Sequence, residues 1–410
     1  MATIAQPQAS RTGTAIVLLL GLAILLNYID RGAIAIAAPK LKPELGLSAT
    51  QFGLAVSAFF WIYAPVQYLI GWACDRWCVY RLLAAGIALW ALSTILMGFA
   101  GSLAALVVLR LLLGLGESIT FPGASKVIAR HIEPRNRGMA NSVVAMGIAL
   151  GPVVGTLAGG MIVAYQGWRP MFMVFGGLTM LWVIPWLSVA RRLPNFFDRS
   201  GEARVPVGRL LRQWPLWAMG IAHFCATYSL YFVVTWVPLF LVQSRGFTIQ
   251  QMTWLATLGF LAQAAAAFLT GWTSDWWTRS GRDEAMCRRW MQAAAGLLAA
   301  VGIIGLMTAQ SAAAVAFWLM AIGISSAIPG VNLYAVAQMF AGPRASGTFI
   351  GIQNATGNLS GIIMPVITGL IIDWTGLYDN AFILSAVIAL IGGIWWAVGG
   401  VPKIEQIELD

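Results

Sequence analysis

Apolar runs of about twenty residues, repeated twelve times, constrain this chain more than any other feature. A helix rises about 1.5 Å per residue, so each run matches the roughly 30 Å hydrocarbon core of a bilayer. Inside lipid every backbone N–H and C=O must find a partner within the fold, so runs of this length fold as helices. Strands of an outer-membrane barrel would alternate in hydrophobicity over about ten residues, a pattern absent here. Composition agrees: 59% of the 410 residues are hydrophobic and only 10% charged, against about 25% charged in an average soluble domain. The predicted class is an all-α membrane protein with twelve transmembrane helices. No cleavable leader is expected, because MATIAQPQASRTGT is polar and the first apolar run is too long for a signal peptide.

Cutting at polar or Pro/Gly breaks places the segments at about 15–38, 50–74, 82–101, 104–128, 138–164, 170–190, 215–243, 250–275, 289–309, 312–340, 345–372 and 377–400. The longest polar stretch, 191–214, divides the chain into two six-helix halves, 1–190 and 215–410, joined by a cytoplasmic linker. With the N-terminus inside, only Lys40, Lys42, Arg169 and Arg245 fall outside. Arg31 and Arg110 stay within apolar runs, and every other Lys and Arg falls inside. That bias predicts a multi-pass protein of the inner (plasma) membrane with both termini cytoplasmic. The net charge of +10 is spread over short loops, so it marks topology and not nucleic-acid binding. Cys74, Cys78, Cys225 and Cys287 show no metal-site spacing and read as small core residues or free thiols.

The halves repeat. Gly71-Trp72-Ala73-Cys74-Asp75-Arg76 closes the second segment, and Gly271-Trp272-Thr273-Ser274-Asp275-Trp276 closes the eighth, about 200 residues later. Repeats of this kind expect a solute site near the middle of the bilayer. Four charges lie inside apolar runs: Asp30 and Arg31 in the first, Arg110 and Glu117 in the fourth. Each costs roughly 2.5 to 3.5 kcal/mol at the bilayer centre even on mild scales, which points to a pathway for a charged solute.

These residues resemble a known family. The 6+6 arrangement and Gly71-x-x-x-Asp75-Arg76…Arg81 are similar to the major facilitator superfamily, although Cys78 and Val79 depart from its loop signature. Three motifs resemble its anion:cation symporter branch, which includes bacterial sugar-acid transporters, sialin and vesicular glutamate transporters. They are Asn27-Tyr28-Ile29-Asp30-Arg31, then Arg110 with Gly114-x-Gly116-Glu117 and Phe121-Pro122, then Tyr231-Phe232-Val233-Val234-Thr235-Trp236-Val237-Pro238. Asn354, Gly357-Asn358, Gly361 and Pro365 also look like that branch. The resemblance implies the major facilitator fold, transport by alternating access, no enzymatic activity and a monomer.

Asn27, Tyr28 and Arg31 can share one helix face. The planar fork of Arg31 suits a carboxylate, so Arg31 is the expected substrate anchor; the alternative is a structural ion pair. Asp30 sits about 100° round the helix, as a proton site or as a partner of Arg110. Arg110 and Glu117 are separated by about 10.5 Å along the axis, so each needs another partner. The resemblance places the coupling proton on Glu117. Tyr63 and Gln67 match positions that bind polar substrate groups in the family, whereas unaided reading leaves Tyr63 a packing aromatic. Asn332 and Asn354 are substrate-binding candidates, with Ser325 and Ser326 beside Asn332; hydroxyls there can also bond their own helix. His223 reads as a structural histidine or a proton relay. Asp75, Arg76 and Asp275 are expected to latch cytoplasmic helix ends.

No nucleotide loop, metal cluster or catalytic triad appears, so no cofactor is expected. The partners are a small organic anion, protons and lipid. The expected activity is proton-coupled symport of an organic carboxylate, a sugar acid or related compound. The alternatives are a proton-independent exchanger or facilitator, uptake of aromatic or short carboxylates, and a non-transporting sensor.

Overall fold

The computed structural model describes residues 6–132, 137–193 and 207–407, with side chains described except at 6–12, 67, 68, 71, 72, 75, 76, 129, 137–139, 141, 343, 344, 346 and 347. Among the described residues, twelve helices are long and apolar enough to cross a membrane. They are α1 (Gly13–Glu44), α2 (Ala49–Arg76), α3 (Val79–Met97), α4 (Leu103–Ile128), α5 (Ser142–Tyr165), α6 (Trp168–Ala190), α7 (Trp214–Gln243), α8 (Ile249–Arg279), α9 (Glu284–Thr308), α10 (Ala312–Gly342), α11 (Thr348–Thr375) and α12 (Asp379–Ala397). No strand occurs among the described residues. The expected linker at 191–214 lies largely outside the described residues, apart from a one-turn helix, Val207–Leu210.

Local chemistry sets the helix ends. Ser102 and Ser311 cap α4 and α10 by accepting from Ala105 N and Ala314 N. Thr248 and Gln251 form a reciprocal capping box on α8. Asp283 caps α9 through Ala285 N and Met286 N. The helix α10 ends at Gly342, whose φ of 62° is open to glycine and strained for other residues. In α4 the helical pattern is interrupted at Ser118–Ile119, because Pro122 has no N–H to offer the carbonyl four residues back.

The chain divides into two compact units, Met1–Gly46 with Ala58–Ser200, and Leu47–Ser57 with Gly201–Asp410. In the first unit, α5 presents Gly147, Gly151 and Gly155 at four-residue spacing against α1. A Cβ at these positions would stand 2.8 Å from Gly21 O, 2.4 Å from Tyr28 Cβ and 2.9 Å from Ile29 Cα. Small residues let membrane helices approach backbone to backbone, where dispersion replaces the missing hydrophobic drive. The contact sets the rotation of α1, and hence where Asn27, Asp30 and Arg31 point.

Gly151→Val should therefore force α1 outward. Overpacking of this kind costs about 1–3 kcal/mol. A lowered unfolding temperature in detergent is expected; an unchanged one would mean that the α1–α5 seam is not tight.

Candidate functional site

The four charges of the first unit are all buried or nearly so, and they separate into two clusters. In the first, Arg31 Nε donates to Glu117 Oε2 at 3.1 Å and Arg31 Nη2 donates to Tyr63 Oη at 2.6 Å. The Glu117 side chain is fully enclosed, whereas 22% of the Arg31 side chain is exposed. Asn27, also fully buried, lies beside the Glu117 carboxyl. Three rings surround the guanidinium: Tyr63 at 4.8 Å, Tyr28 at 5.2 Å and Phe59 at 5.7 Å from its carbon. Phe59 stacks on Tyr63 at 4.9 Å and receives the Arg110 guanidinium at 5.0 Å. Such faces attract guanidinium groups electrostatically, the more so away from water.

Two glycines bring Glu117 to this place. A Cβ on Gly114 would lie 2.4 Å from Phe59 O, and one on Gly116 would lie 2.6 Å from Trp90 N. The segment of α4 just before Glu117 therefore touches the backbones of α2 and α3 on two sides. A larger residue at either position would lift the carboxylate away from Arg31.

The second cluster surrounds Asp30, which is turned to α3. Its Oδ2 accepts from Trp90 Nε1 at 2.5 Å and from Thr94 Oγ1 at 3.4 Å. Trp90 and Thr94 are four apart, so they share one face of α3. Of the two readings of Asp30 as proton site or Arg110 partner, the geometry shows a carboxylate tied to α3 by neutral donors.

The second unit departs from the sequence reading. Arg288, counted as a loop cation, is buried: α9 begins at Glu284, five residues before its predicted start, which draws Arg288 into the bundle. Its Nε donates to Glu284 Oε1 and its Nη1 to Asn332 Oδ1, both at 2.7 Å. Its place within α9 corrects the reading of Arg288 as one of the loop cations on the inside. Asn332 is fully buried and its Oδ1 accepts from Arg288. Asn354 is half-buried and its Oδ1 accepts from Tyr334 Oη at 3.3 Å. Tyr231 Oη donates to Asn358 Oδ1 at 2.8 Å, and Asn358 Nδ2 to Asn354 O at 2.9 Å. His223 Nδ1 meets Gln353 Nε2 at 3.4 Å. Sequence reading passed over Gln353, Tyr334 and Asn358 as site residues; of the three only Asn358 carried a signal, its four-residue spacing from Asn354 on one helix face. Ser325 and Ser326 both bond back to Ile322 O. Asp275 and Arg279 form an exposed pair at 3.7 Å. The side chains of Gln67, Asp75 and Arg76 lie outside the described residues.

Membrane-length helices in two repeated halves, with an enclosed ion pair in one of them, describe a multi-pass membrane protein, and its relatives are transporters. The chain belongs to the Major Facilitator Superfamily, whose sequence profile matches residues 20–282 and 219–408. It is 31% identical to a probable sulfoacetate transporter of Cupriavidus necator, covering 90% of this chain and 89% of that protein. It is 28% identical to a hexuronate transporter of Bacillus subtilis, over 92% of each chain. It is 29% identical to a chloroplastic ascorbate transporter of Arabidopsis thaliana, over 93% of this chain and 73% of that one. Among solved structures, a bacterial homologue of the human lysosomal transporter Spinster, inward-facing and unoccupied, shares the fold. Its TM-score is 0.82 at 18% identity, covering 96% of this chain and 97% of that one.

Asn332 and Asp275 should separate in their energetics. Asn332→Leu leaves a buried guanidinium short of an acceptor and should cost about 1.5–3 kcal/mol. Asp275→Asn breaks an exposed pair of the kind that contributes about 0–1 kcal/mol. Thermal unfolding of the purified variants checks this: comparable small shifts would show that the Arg288–Asn332 bond is not structural.

Proposed function

We propose that this protein carries a small organic carboxylate together with a proton, by alternating access, as a monomer in the cytoplasmic membrane with both termini in the cytoplasm. The observation that supports this best is the Arg31–Glu117 pair. One guanidinium, partly exposed, is held by one enclosed carboxylate. A substrate carboxylate presents the same chemistry and competes for the same donors. Protonating Glu117 removes its charge and releases Arg31 for the anion; ionised Glu117 reclaims Arg31 when the anion leaves. Asp30 is the second candidate proton site.

Charge counting supports the same cycle. Asp30, Arg31, Arg110 and Glu117 sum to zero when all are ionised. A bound monoanion makes the sum minus one, and one proton restores neutrality, which is the least costly state for a charged group to occupy within a bilayer. The relatives named for sulfoacetate, hexuronate and ascorbate favour an organic anion as cargo. The rings of Tyr28, Phe59 and Tyr63 around Arg31 favour a second reading of the cargo, an aromatic or short carboxylate in place of a polyhydroxylated sugar acid. An exchanger or facilitator without protons is the competing mechanism.

In proteoliposomes, Glu117→Gln should abolish uptake driven by a pH gradient while substrate counterflow survives. A variant that still concentrates substrate under that gradient would remove Glu117 from the coupling role. Arg31→Lys, which loses the planar fork, should raise the half-saturation concentration at least about tenfold, the equivalent of 1.4 kcal/mol. For the cargo, unfolding temperatures measured with sugar acids, aromatic acids and short carboxylates rank the classes, because binding stabilises the folded state. Stabilisation by sugar acids alone would overturn the aromatic-or-short reading.

A further inference from the structure

Trp90 stands between the two buried acids and makes no claim on either the cargo or the proton itself. Its side chain has no exposed surface, and it is among the largest fully buried groups of the protein. The indole N–H points to α1 and meets Asp30 Oδ2 at 2.5 Å. The indole is a donor only, so this bond gives the enclosed Asp30 carboxyl a fixed partner on α3. On the other side, Trp90 N and Trp90 Cβ lie where a side chain on Gly116 would stand, at 2.6 and 2.8 Å from its Cβ. Gly116 directly precedes Glu117. On the same seam, a Cβ on Gly86, one turn before Trp90, would lie 2.3 Å from Ile119 Cγ2, just past Glu117. One residue of α3 thus holds the carboxylate of α1 by its indole and the acid-bearing stretch of α4 by its backbone.

We propose that Trp90 is a positioning residue of the transport cycle, through which Asp30 and Glu117 act as one unit. When the Asp30–indole bond weakens or forms, α3 shifts at Trp90, and Gly116 transmits the shift because no side chain cushions the contact. Arg31 follows Asp30 directly on α1, so the same shift reaches both partners of the Arg31–Glu117 pair. The proposal rests on the reading that Glu117 exchanges the coupling proton.

The test replaces Trp90 by 3-benzothienylalanine, which keeps the shape of the ring and lacks the N–H. Trp90→Phe is the genetically encoded companion. Each is assayed in proteoliposomes for uptake driven by a pH gradient and for substrate counterflow, alone and combined with Asp30→Asn. Loss of the N–H alone should lower gradient-driven uptake about tenfold, with counterflow within about twofold of the wild type. Adding Asp30→Asn should cause no further loss, since groups acting as a unit are not additive. Gradient-driven uptake that stays at the wild-type level overturns the proposal. So does an equal fall in both assays, which is what a merely structural tryptophan gives, and so does a double variant whose loss is the product of the single ones. A wild type that shows no gradient-driven uptake instead removes the proposed function, and this proposal with it.

Discussion

A guanidinium and a carboxylate enclosed in a membrane-spanning bundle set the terms for the whole first unit. Taking two charges out of water is expensive, and their mutual attraction repays this only when the geometry is good and the remaining donors and acceptors are satisfied. Each surrounding feature answers that demand. The glycine face of α5 fixes the rotation of α1 and with it Arg31. Gly114 and Gly116 let α4 come close enough for Glu117 to reach across. Tyr63 takes a further guanidinium donor, and the rings of Tyr28, Phe59 and Tyr63 supply electron-rich faces in place of water. Remove any of these and the pair becomes a cost without compensation.

The second unit handles charge differently. Arg288 lies one turn into α9, beside Glu284 at the helix start, and reaches into α10 only far enough to engage Asn332. Elsewhere in α7, α10 and α11, Tyr231, Asn358, Tyr334 and Asn354 form a chain of amide and phenol contacts, with His223 and Gln353 beside it. Neutral donors and acceptors of this kind discriminate shape and hydroxyl pattern at small electrostatic cost.

The helices were legible because hydropathy over about twenty residues is a strong signal, and the charged residues were legible because lipid makes them conspicuous. What could not be read was pairing. Arg31 and Glu117 are 86 residues apart in the chain, and nothing in either run states which faces of α1 and α4 meet. That depends on glycine seams, which look in sequence like generic small residues. Arg288 was misplaced because hydropathy put the start of α9 at 289, and the Asp283 cap that starts the helix earlier was overlooked. Trp90 and Phe59 were silent for another reason: an aromatic in an apolar run reads as packing until its neighbours are known. Asn332 was read as a substrate-binding candidate from the polar stretch around it, and its bond to Arg288 could not be seen in sequence.

Exposure decides how the proton and the anion are related in the proposed cycle. Glu117 has no exposed side-chain surface, whereas its partner Arg31 is partly exposed. Arg31, itself held by Tyr63, covers the carboxylate on the side where its charge is compensated. Ionised Glu117 holds the Nε donor of Arg31, so in this cycle an anion at Arg31 competes with that carboxylate, and a proton on Glu117 ends the competition. Neither event is complete without the other, because a carboxylate that loses Arg31 while still ionised becomes an unpaired buried charge, a state disfavoured by several kcal/mol. Coupling of this kind needs no second binding site and no long-range signal. It follows from one guanidinium serving two acids in turn, in a place where an unpartnered acid cannot stay charged.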